Sequence, residues 1–495
     1  MQVLSSALTA KHTMAISINE SLLDERLARL EKAKAWSPRV ISKLESHIRA
    51  GDEDALFRIN PLRFATEKNI PESEAIDVFL HATAVGIFNM DWHLLCSACS
   101  CVVESFRGLQ GVHNHYHCNF CTMDYEASLD DLIAVTFTVN PQIRDIALHH
   151  PERLSAWDYF FKFGGTTDGR LPDGTPFVNV QQSVTKAVNF LPPGETTRID
   201  IEANEGTVVG GSMEGKAAFL YQIDAGAPRA SKVFPVAFGD QKVSAHEIKT
   251  IAPGRMTFEI KNTTSERGTF LLALLPKEIE YGHIPVTFVP FLTGKRLLTT
   301  QTFRDLFRSE VIQASEGIAV REIALLFTDL KGSTALYDRI GDLNAFSLVQ
   351  QHFDRLQDVT VRNSGAIIKT IGDAVMAAFL NPFDAMRAAI AMRDEIAVFN
   401  RDRADRELVL KIGLHKGAAI AVTLNDRLDY FGQTVNIAAR VQNLADADEI
   451  YISEDVYAAE GVQGELAGFA VNERLASLKG IRNDLRVYCV KPEAH

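Results

Sequence analysis

The sequence REIALLFTDLKGST, residues 321–334, decides the fold of the last third of the chain. Its apolar run is typical of a buried strand, and Asp329 follows that run before a Gly-Ser-Thr turn into a helical pattern. A second stretch, AIIKTIGDAVMAAF at residues 366–379, predicts a strand, a tight turn at Gly372 and Asp373, and another strand. We therefore expect both aspartates at neighbouring strand ends.

Strands and helices alternate through this region, with a hairpin in the middle. The predicted elements are a strand at 323–328, a helix at 335–363, strands at 366–371 and 374–380, a helix at 382–401 and a strand at 408–414. This order is typical of ferredoxin-like α/β folds. The sequence therefore predicts such a domain.

Two aspartates with no cysteine nearby form a hard oxygen site suited to Mg²⁺ or Mn²⁺. Two such ions, about 3.5–4 Å apart, would lower the charge on an attacking oxygen and on a triphosphate together. The loop that follows Asp329 ends in Gly332, Ser333 and Thr334 and leads into a helix, so its backbone N–H groups are available to phosphate oxygens. These features predict a metal-dependent nucleotide site.

A third motif, LDYFGQTVNIAARV at residues 428–441, completes a pattern that resembles the catalytic domain of the class III nucleotidyl cyclases over residues 321–491. The resemblance implies two metal ions, a purine-selecting pair, an Asn-x-x-x-Arg element that orients the ribose and stabilises the transition state, and a second phosphate-contacting lysine. The implied positions are Asp329, Leu330 and Asp373 for the metals, Lys369 and Asp429 for the purine, Asn436 and Arg440 for catalysis, and Lys479 for phosphate.

The residue types of the purine pair favour ATP. A lysine only donates hydrogen bonds and a carboxylate only accepts them, which matches the N1 acceptor and the exocyclic amine of adenine. Family members that prefer GTP resemble one another in carrying Glu with a small or thiol residue, and Lys369 with Asp429 departs from that. The expected reaction is conversion of ATP to 3′,5′-cyclic AMP and pyrophosphate, with the general base left open. A guanylate or pyrimidine nucleotide cyclase is the nearest alternative.

The resemblance also implies a homodimer. In this family the active site forms between two catalytic domains arranged head to tail, and this chain contains each element once. Monomers are expected to be inactive.

Five of the six cysteines lie in one short segment. Cys96 and Cys99, then Cys118 and Cys121 after 18 intervening residues, have the spacing of a zinc ribbon, which predicts a structural Zn²⁺. Redox thiols or cysteines packed in a core are the alternatives. Further candidate ligands are Cys101 and the histidines at 93, 113, 115 and 117.

The rest of the chain predicts a regulatory region. Helical patterns come first and allow a winged-helix reading, and short alternating runs then predict an antiparallel sandwich or barrel. An amphipathic stretch with Phe303, Leu306, Phe307 and Val311 at helical spacing connects the β-rich region to the catalytic domain. It is interpreted as a helix that transmits orientation or as a passive linker. The expected units are a helical segment at 17–90, a zinc-ribbon-like element at 91–130, a β-rich domain at 131–291, a connector at 292–320 and the catalytic domain at 321–491.

Composition narrows the class of protein. The net charge of -12 argues against a surface that binds nucleic acid, although a nucleic-acid-binding regulator with the catalytic domain as nucleotide sensor stays an alternative. No apolar run approaches the roughly 18 residues of a membrane span, and the amino terminus lacks a secretory pattern. We expect an α+β multidomain, cytoplasmic adenylate cyclase controlled by its amino-terminal region.

Overall fold

The computed structural model of the 495-residue chain describes residues 18–118, 123–130, 132–214, 218–239, 249–279, 286–313, 317–401 and 408–493. Three regions follow one another along these ranges: helices with a small sheet, a two-sheet sandwich, and a large mixed sheet with helices. Within the same ranges, no helix is both long enough and apolar enough to cross a membrane.

The described part of the first region contains four α-helices and five strands. They are α1 (Glu20–Ala33), α2 (Val40–Ala50), α3 (Pro61–Lys68), α4 (Glu72–Ala84), β1 (Phe88–Leu95), β2 (Val102–Phe106), β3 (His115–Cys118), β4 (Met123–Glu126) and β5 (Ile133–Val139). Helix α1 begins where the Asn19 side chain accepts a hydrogen bond from the N–H of Leu22, and Pro61 starts α3 behind the Asn60 cap. Helices thus form where the apolar periodicity predicts them.

Helix α4 is a core helix. None of the residues 74–83 is exposed, and the helix packs against α1, α3 and β1. A recognition helix needs one open face to enter a DNA groove. The structure therefore does not support α4 as a recognition helix, because its apolar residues bury the first sheet, and the winged-helix reading of this segment stays a prediction.

The first sheet has the strand order β2-β1-β5. Strand β5 pairs antiparallel with β1 from Phe88↔Val139 to Leu94↔Ile133. All seven residues of β5 are buried, because the strand is covered on both faces. The sheet therefore extends across the boundary that the sequence suggested between residues 130 and 131.

The middle region is a β-sandwich with short flanking elements. They are α5 (Ala156–Tyr159), β6 (Gly169–Arg170), α6 (Phe177–Val184), β7 (Thr185–Leu191), β8 (Thr196–Ala203), β9 (Thr207–Ser212), β10 (Ala218–Ile223), β11 (Lys232–Phe238), β12 (Lys249–Ile251), β13 (Gly254–Asn262), β14 (Gly268–Leu275) and β15 (Thr287–Phe288). Sheets β12-β10-β9-β14-β7 and β11-β13-β8 enclose an aromatic core that includes Phe219, Phe258 and Phe270.

The sandwich departs from the expected antiparallel pattern in two places. Strand β10 is parallel to β12, and β11 is parallel to β13. Successive strands from β10 to β13 alternate between the two sheets, so a strand returns to its sheet after two crossings and in the same direction. The described strands form two open sheets and no closed barrel.

The described part of the connector, residues 292–313 and 317–320, packs into the protein. It contains α7 (Gly294–Leu298) and α8 (Gln301–Leu306), and Leu292, Leu297 and Phe303 are completely buried. The expected amphipathic helix through Val311 is wrong, because α8 ends at Leu306, whose side chain is exposed. The connector is therefore part of the core rather than a loose linker.

The last region is the predicted α/β domain. Its elements are β16 (Ile318–Leu330), α9 (Ser333–Ile340), α10 (Asp342–Arg362), β17 (Gly365–Ile371), β18 (Ala374–Phe379), α11 (Pro382–Arg401), β19 (Leu410–Leu424), β20 (Arg427–Phe431), α12 (Gln433–Gln442), β21 (Ile450–Ser453), α13 (Glu454–Tyr457), α14 (Val462–Glu465), β22 (Phe469–Ala476) and β23 (Leu485–Pro492). The strand order is β17-β18-β16-β19-β21-β23-β22, and β20 pairs with β19. The predicted single helix at 335–363 is two helices, because Gly341 takes a positive φ of 76°.

The first and last regions share one buried cluster of apolar side chains. The Leu129 N–H donates to the Ala319 carbonyl over 3.0 Å, and Asp130 accepts a 2.6 Å hydrogen bond from the Arg321 N–H. Asp130 also forms a 3.0 Å ion pair with Lys295 of α7. The start of β16 is thereby fixed to the amino-terminal region.

Candidate active site

The two aspartates lie on neighbouring strands, as expected. Strands β16 and β18 pair up to Thr328↔Val375, so Asp329 lies one residue and Asp373 two residues beyond the last pair. Asp373 is at the tip of the β17–β18 hairpin after Gly372, whose φ of 64° allows the tight turn. Asp329 lies inside β16 rather than past its end, because β19 extends alongside it.

The surroundings of the two carboxylates fit a divalent cation. Asp373 Oδ2 is buried and has no hydrogen-bond partner among the described residues. Asp329 Oδ2 pairs with Lys411 Nζ at 2.6 Å, so a positive charge already stands beside it. An unpartnered buried carboxylate oxygen is costly unless a cation or donor binds it. Oxygen donors of this kind are the ligands that Mg²⁺ and Mn²⁺ prefer.

Lys369 and Asp429 are in direct contact. Lys369 Nζ on β17 is 2.5 Å from Asp429 Oδ2 on β20, and Asp429 Oδ1 accepts a 2.7 Å hydrogen bond from the Tyr430 N–H. Lys369 is about a third exposed (35%), whereas Asp429 is buried (9%). The buried carboxylate is held in place by two donors, and the ammonium group reaches solvent.

The loop after Asp329 has the predicted form. Gly332 has a φ of 75°, and α9 begins at Ser333 followed by Thr334. The Lys331 N–H donates to the Val409 carbonyl over 2.8 Å, which fixes the loop against the start of β19. Helix α9 therefore begins from a loop that is anchored to the sheet.

Asn436 and Arg440 occupy one face of α12, four residues apart. Asn436 is exposed and Arg440 is half-buried. Arg440 Nη2 lies beside Gly480, at 3.4 Å from where a Cβ would stand, and the exposed Lys479 precedes that glycine. The structure thus brings Arg440 and the late lysine segment together.

Three of the four predicted zinc ligands form a cluster. The sulfur atoms of Cys96, Cys99 and Cys118 lie within 4.8 Å of one another. Cys121 lies outside the described residues. Three thiols at this separation, two of them from one CxxC turn, fit a tetrahedral Zn²⁺ site.

Two of the other candidate zinc ligands contact polar groups outside the thiol cluster. The His93 ring nitrogens contact Ser105 Oγ and Thr136 Oγ1, each at 2.8 Å, and His117 Nδ1 contacts Asp124 Oδ1 at 2.9 Å. Within the described residues, neither these histidines nor His113, His115 and Cys101 belong to the thiol cluster.

Two residues of the site were missed from the sequence. Lys411 faces Asp329 only because β16 and β19 pair in this register, and local sequence carries no sign of it. Arg304 of α8 donates to the Leu428 carbonyl next to Asp429, and it comes from the connector. Both contacts depend on distant segments, so only the folded chain reveals them.

Two family models match the chain. Residues 318–492 match the adenylate and guanylate cyclase catalytic domain, which defines the last region as a class III nucleotidyl cyclase domain. Residues 23–305, more than half of the chain, match a family of unknown function (DUF5939). The protein therefore belongs to the DUF5939 family and carries a carboxy-terminal cyclase catalytic domain.

Similar proteins with assigned names are cyclases. The chain is 28% identical to putative adenylate cyclase 3 of Rhizobium meliloti over 36% of this chain and 30% of the relative. It is 30% identical to adenylate cyclase 2 of the same organism over 28% of this chain and 42% of the relative. The chain thus spans less than half the length of these two relatives. The solved adenylyl cyclase CyaB from P. aeruginosa is 21% identical, over 36% of this chain and 98% of that one, with a TM-score of 0.32.

Proposed function

We propose that this protein is an adenylate cyclase that converts ATP to 3′,5′-cyclic AMP and pyrophosphate. The observation that carries the proposal is the contact between Lys369 and Asp429. Relatives named as adenylate cyclases support the same reading.

The purine pair can read adenine without breaking its own ion pair. The Lys369 ammonium has three donors, so one can bind Asp429 while another reaches N1 of adenine. The carboxylate of Asp429 keeps lone pairs for the exocyclic amine. Guanine presents a protonated N1 to the lysine and a carbonyl to the carboxylate, and both contacts are repulsive. The site therefore favours ATP over GTP.

The reaction is attack of the ribose 3′-oxygen on the α-phosphorus, with loss of the 3′-hydroxyl proton and departure of pyrophosphate. Asp329 and Asp373, with Leu330 next to Asp329, would hold two Mg²⁺ or Mn²⁺ ions. Such ions supply charge neutralisation of the attacking oxygen and the triphosphate when bound. The two carboxylates would hold these ions beside the paired strands β16 and β18.

The remaining residues bind and orient the nucleotide. Arg440 provides a fork of donors for the negative charge that develops on the α-phosphate, and Asn436 orients the ribose. Lys479 next to Gly480 and the first residues of α9, Ser333 and Thr334 after Gly332, contact the other phosphates.

Two chains share each site in this proposal. Asn436 is exposed, and large apolar side chains near the site are exposed as well: Ile371 (52%) and Phe431 (63%). Apolar groups grouped around polar ones are typical of an interaction surface. A second copy of the domain would cover them, which supports a homodimer with the metal ligands from one chain and the purine pair and Arg440 from the other.

In this proposal the amino-terminal region regulates the catalytic domain. The thiol cluster holds a structural Zn²⁺. Both the substrate and reduced thiols are consistent with a cytoplasmic location. The connector supports the regulatory role, because it is buried against both regions.

The test is a change of base preference. Lys369→Glu combined with Asp429→Cys should lower the ratio of kcat/KM for ATP over GTP by about 10- to 100-fold, because the donor and acceptor are removed from the adenine edge. The measurement is cyclic nucleotide formation by the full chain with each substrate. Arg427→Ala, which changes an exposed side chain of the same strand, is the control. If the ratio of kcat/KM for ATP over GTP is the same in the double variant as in the wild type, the proposal is overturned, because the base is then recognised by other residues.

A further inference from the structure

Helix α8 is attached firmly to the amino-terminal region. Phe303 is completely buried, and its ring centroid is 6.1 Å from that of Trp92 in β1. Thr302 Oγ1 donates a 2.6 Å hydrogen bond to Asp77 Oδ1 in α4. The helix therefore follows any displacement of α4 and β1.

The opposite side of α8 contacts the purine pair through the backbone. Arg304 Nη2 donates a short hydrogen bond to the Leu428 carbonyl and a 3.4 Å hydrogen bond to the Ile368 carbonyl. These two carbonyls directly precede Asp429 and Lys369. One guanidinium group thus bridges the two strands that carry the pair.

No ladder of backbone hydrogen bonds joins those strands. Among the described strands, β17 pairs with β18, and β20 pairs with β19. A bulge between Ile367 and Lys369 leaves Ile368 out of the β17 register, which makes its carbonyl available. Gln301 Oε1, one turn before Arg304, accepts a 2.8 Å hydrogen bond from the Ile367 N–H. Helix α8 therefore supplies the connection that the sheet lacks.

Arg304 makes these contacts at a cost. Within the described residues it has no carboxylate at ion-pair distance, and burial lowers its pKa from the ordinary arginine value. The charge of Asp429 opposes that shift. Burying a guanidinium group that is hydrogen-bonded only to carbonyls costs free energy, since no carboxylate balances its charge. Such a residue is therefore a candidate for a positioning role. Arg304 Nη2 supplies both of these hydrogen bonds and Nη1 donates to the Leu298 carbonyl in the connector, a combination that a single ammonium group cannot make equally well.

We propose that Arg304 is a positioning residue that fixes the separation of Lys369 and Asp429, and so makes recognition of ATP depend on the amino-terminal region. This inference rests on the proposed function and deepens it. When α8 is in place, the pair is held for adenine. When α4 and α8 shift, Arg304 releases the two carbonyls, and Lys369 and Asp429 no longer keep the separation that adenine requires.

The experiment compares Arg304→Ala, Arg304→Lys and the wild-type full chain. Arg308→Ala is the matched control, because Arg308 is exposed on the segment after α8 and has no hydrogen bond or ion pair with described residues. We expect Arg304→Ala to raise KM for ATP about tenfold and to lower the kcat/KM ratio of ATP over GTP about tenfold. Arg304→Lys should fall between Arg304→Ala and wild type, and Arg308→Ala should match wild type.

The ratio of the two substrates is the deciding readout, since loss of stability alone would lower both activities equally. An unchanged ratio in Arg304→Ala would assign Arg304 a purely structural role and overturn the inference. If Arg304→Ala does not fold, an unchanged ratio in Arg304→Lys overturns it equally. A wild-type chain that forms no cyclic nucleotide would instead refute the proposed function. The inference is then tested by equilibrium binding of ATP and GTP to wild type and the same variants, with the same expected change in ratio.

Discussion

At the scale of single residues, the two aspartates differ in how their charge is balanced. Asp329 has Lys411 beside it, whereas Asp373 keeps a buried oxygen without a partner among the described residues. The sequence predicted both carboxylates because each follows an apolar run that ends in a turn. It did not predict Lys411, because a cross-strand partner depends on the register of β19.

Replacing either aspartate by asparagine should abolish the reaction. An amide removes the charge that a divalent cation requires, so Asp373→Asn and Asp329→Asn should each lower kcat at least about 100-fold. The measurement is cyclic AMP formation with Mg²⁺ and with Mn²⁺. Asp338→Asn, on α9, is the matched control. Full activity of Asp373→Asn with Mn²⁺ would contradict the metal site.

At the scale of elements, alternating runs such as TRIDIEA at residues 197–203 and MTFEIKN at residues 256–262 predict strands of the sandwich, here β8 and β13. Local patterns missed β9, whose sequence TVVGGS contains two glycines and lacks alternation. Patterns also failed at α8, because the apolar residues of the connector are divided between a short helix and an irregular segment. Local periodicity cannot show where a segment finds its tertiary partners.

The thiol cluster should bind zinc and stabilise the first region. Metal analysis of the full chain should find about one Zn²⁺ per chain, and Cys96→Ser or Cys118→Ser should lose it with a lower melting temperature. Cys489→Ser is the control, because that cysteine lies in β23. A metal-free protein of unchanged stability would show that the thiols are only packed in a core.

Helix α10 contains a histidine that makes stability depend on pH. His352 is completely buried, neither ring nitrogen has a partner among the described residues, and burial lowers its pKa from 6.5 to about 4. The unfolded chain binds a proton near pH 6.5 and the folded chain does not, so stability is full above that value and falls as the pH drops toward 4.

Replacing His352 by leucine should remove this contribution. The free energy of unfolding of wild type should fall by up to about 3 kcal/mol more than that of His352→Leu between pH 7 and pH 4. Denaturant unfolding at several pH values measures the difference. Parallel pH profiles of the two proteins would show that His352 titrates normally.

At the scale of the whole molecule, the first region, the connector and the catalytic domain share one core, whereas the sandwich has a core of its own. A single buried cluster includes side chains from the first region, the connector and the catalytic domain. The sequence predicted the catalytic domain from motifs that fold locally, but it did not predict this joint core, since long-range packing leaves no periodic signal. The buried connector gives the amino-terminal region a direct contact with the strands of the purine pair.

The proposed sharing of the active site between two chains makes a quantitative prediction for mixed chains. Asp373→Ala removes a proposed metal ligand and Arg440→Ala removes the proposed catalytic arginine, so each homodimer should be inactive. In a dimer of one chain of each kind, one of the two sites has both residues intact. Random mixing should therefore restore about a quarter of wild-type activity.

The most direct test of the account is cyclic AMP formation from ATP by the wild-type full chain, by each of these two variants, and by their equimolar mixture after exchange of chains. We expect product from the wild type, almost none from either variant alone, and about a quarter of the wild-type rate from the mixture. A wild type that forms no cyclic AMP would contradict the adenylate cyclase assignment. An active wild type with a mixture as inactive as the single variants would contradict the site shared between two chains.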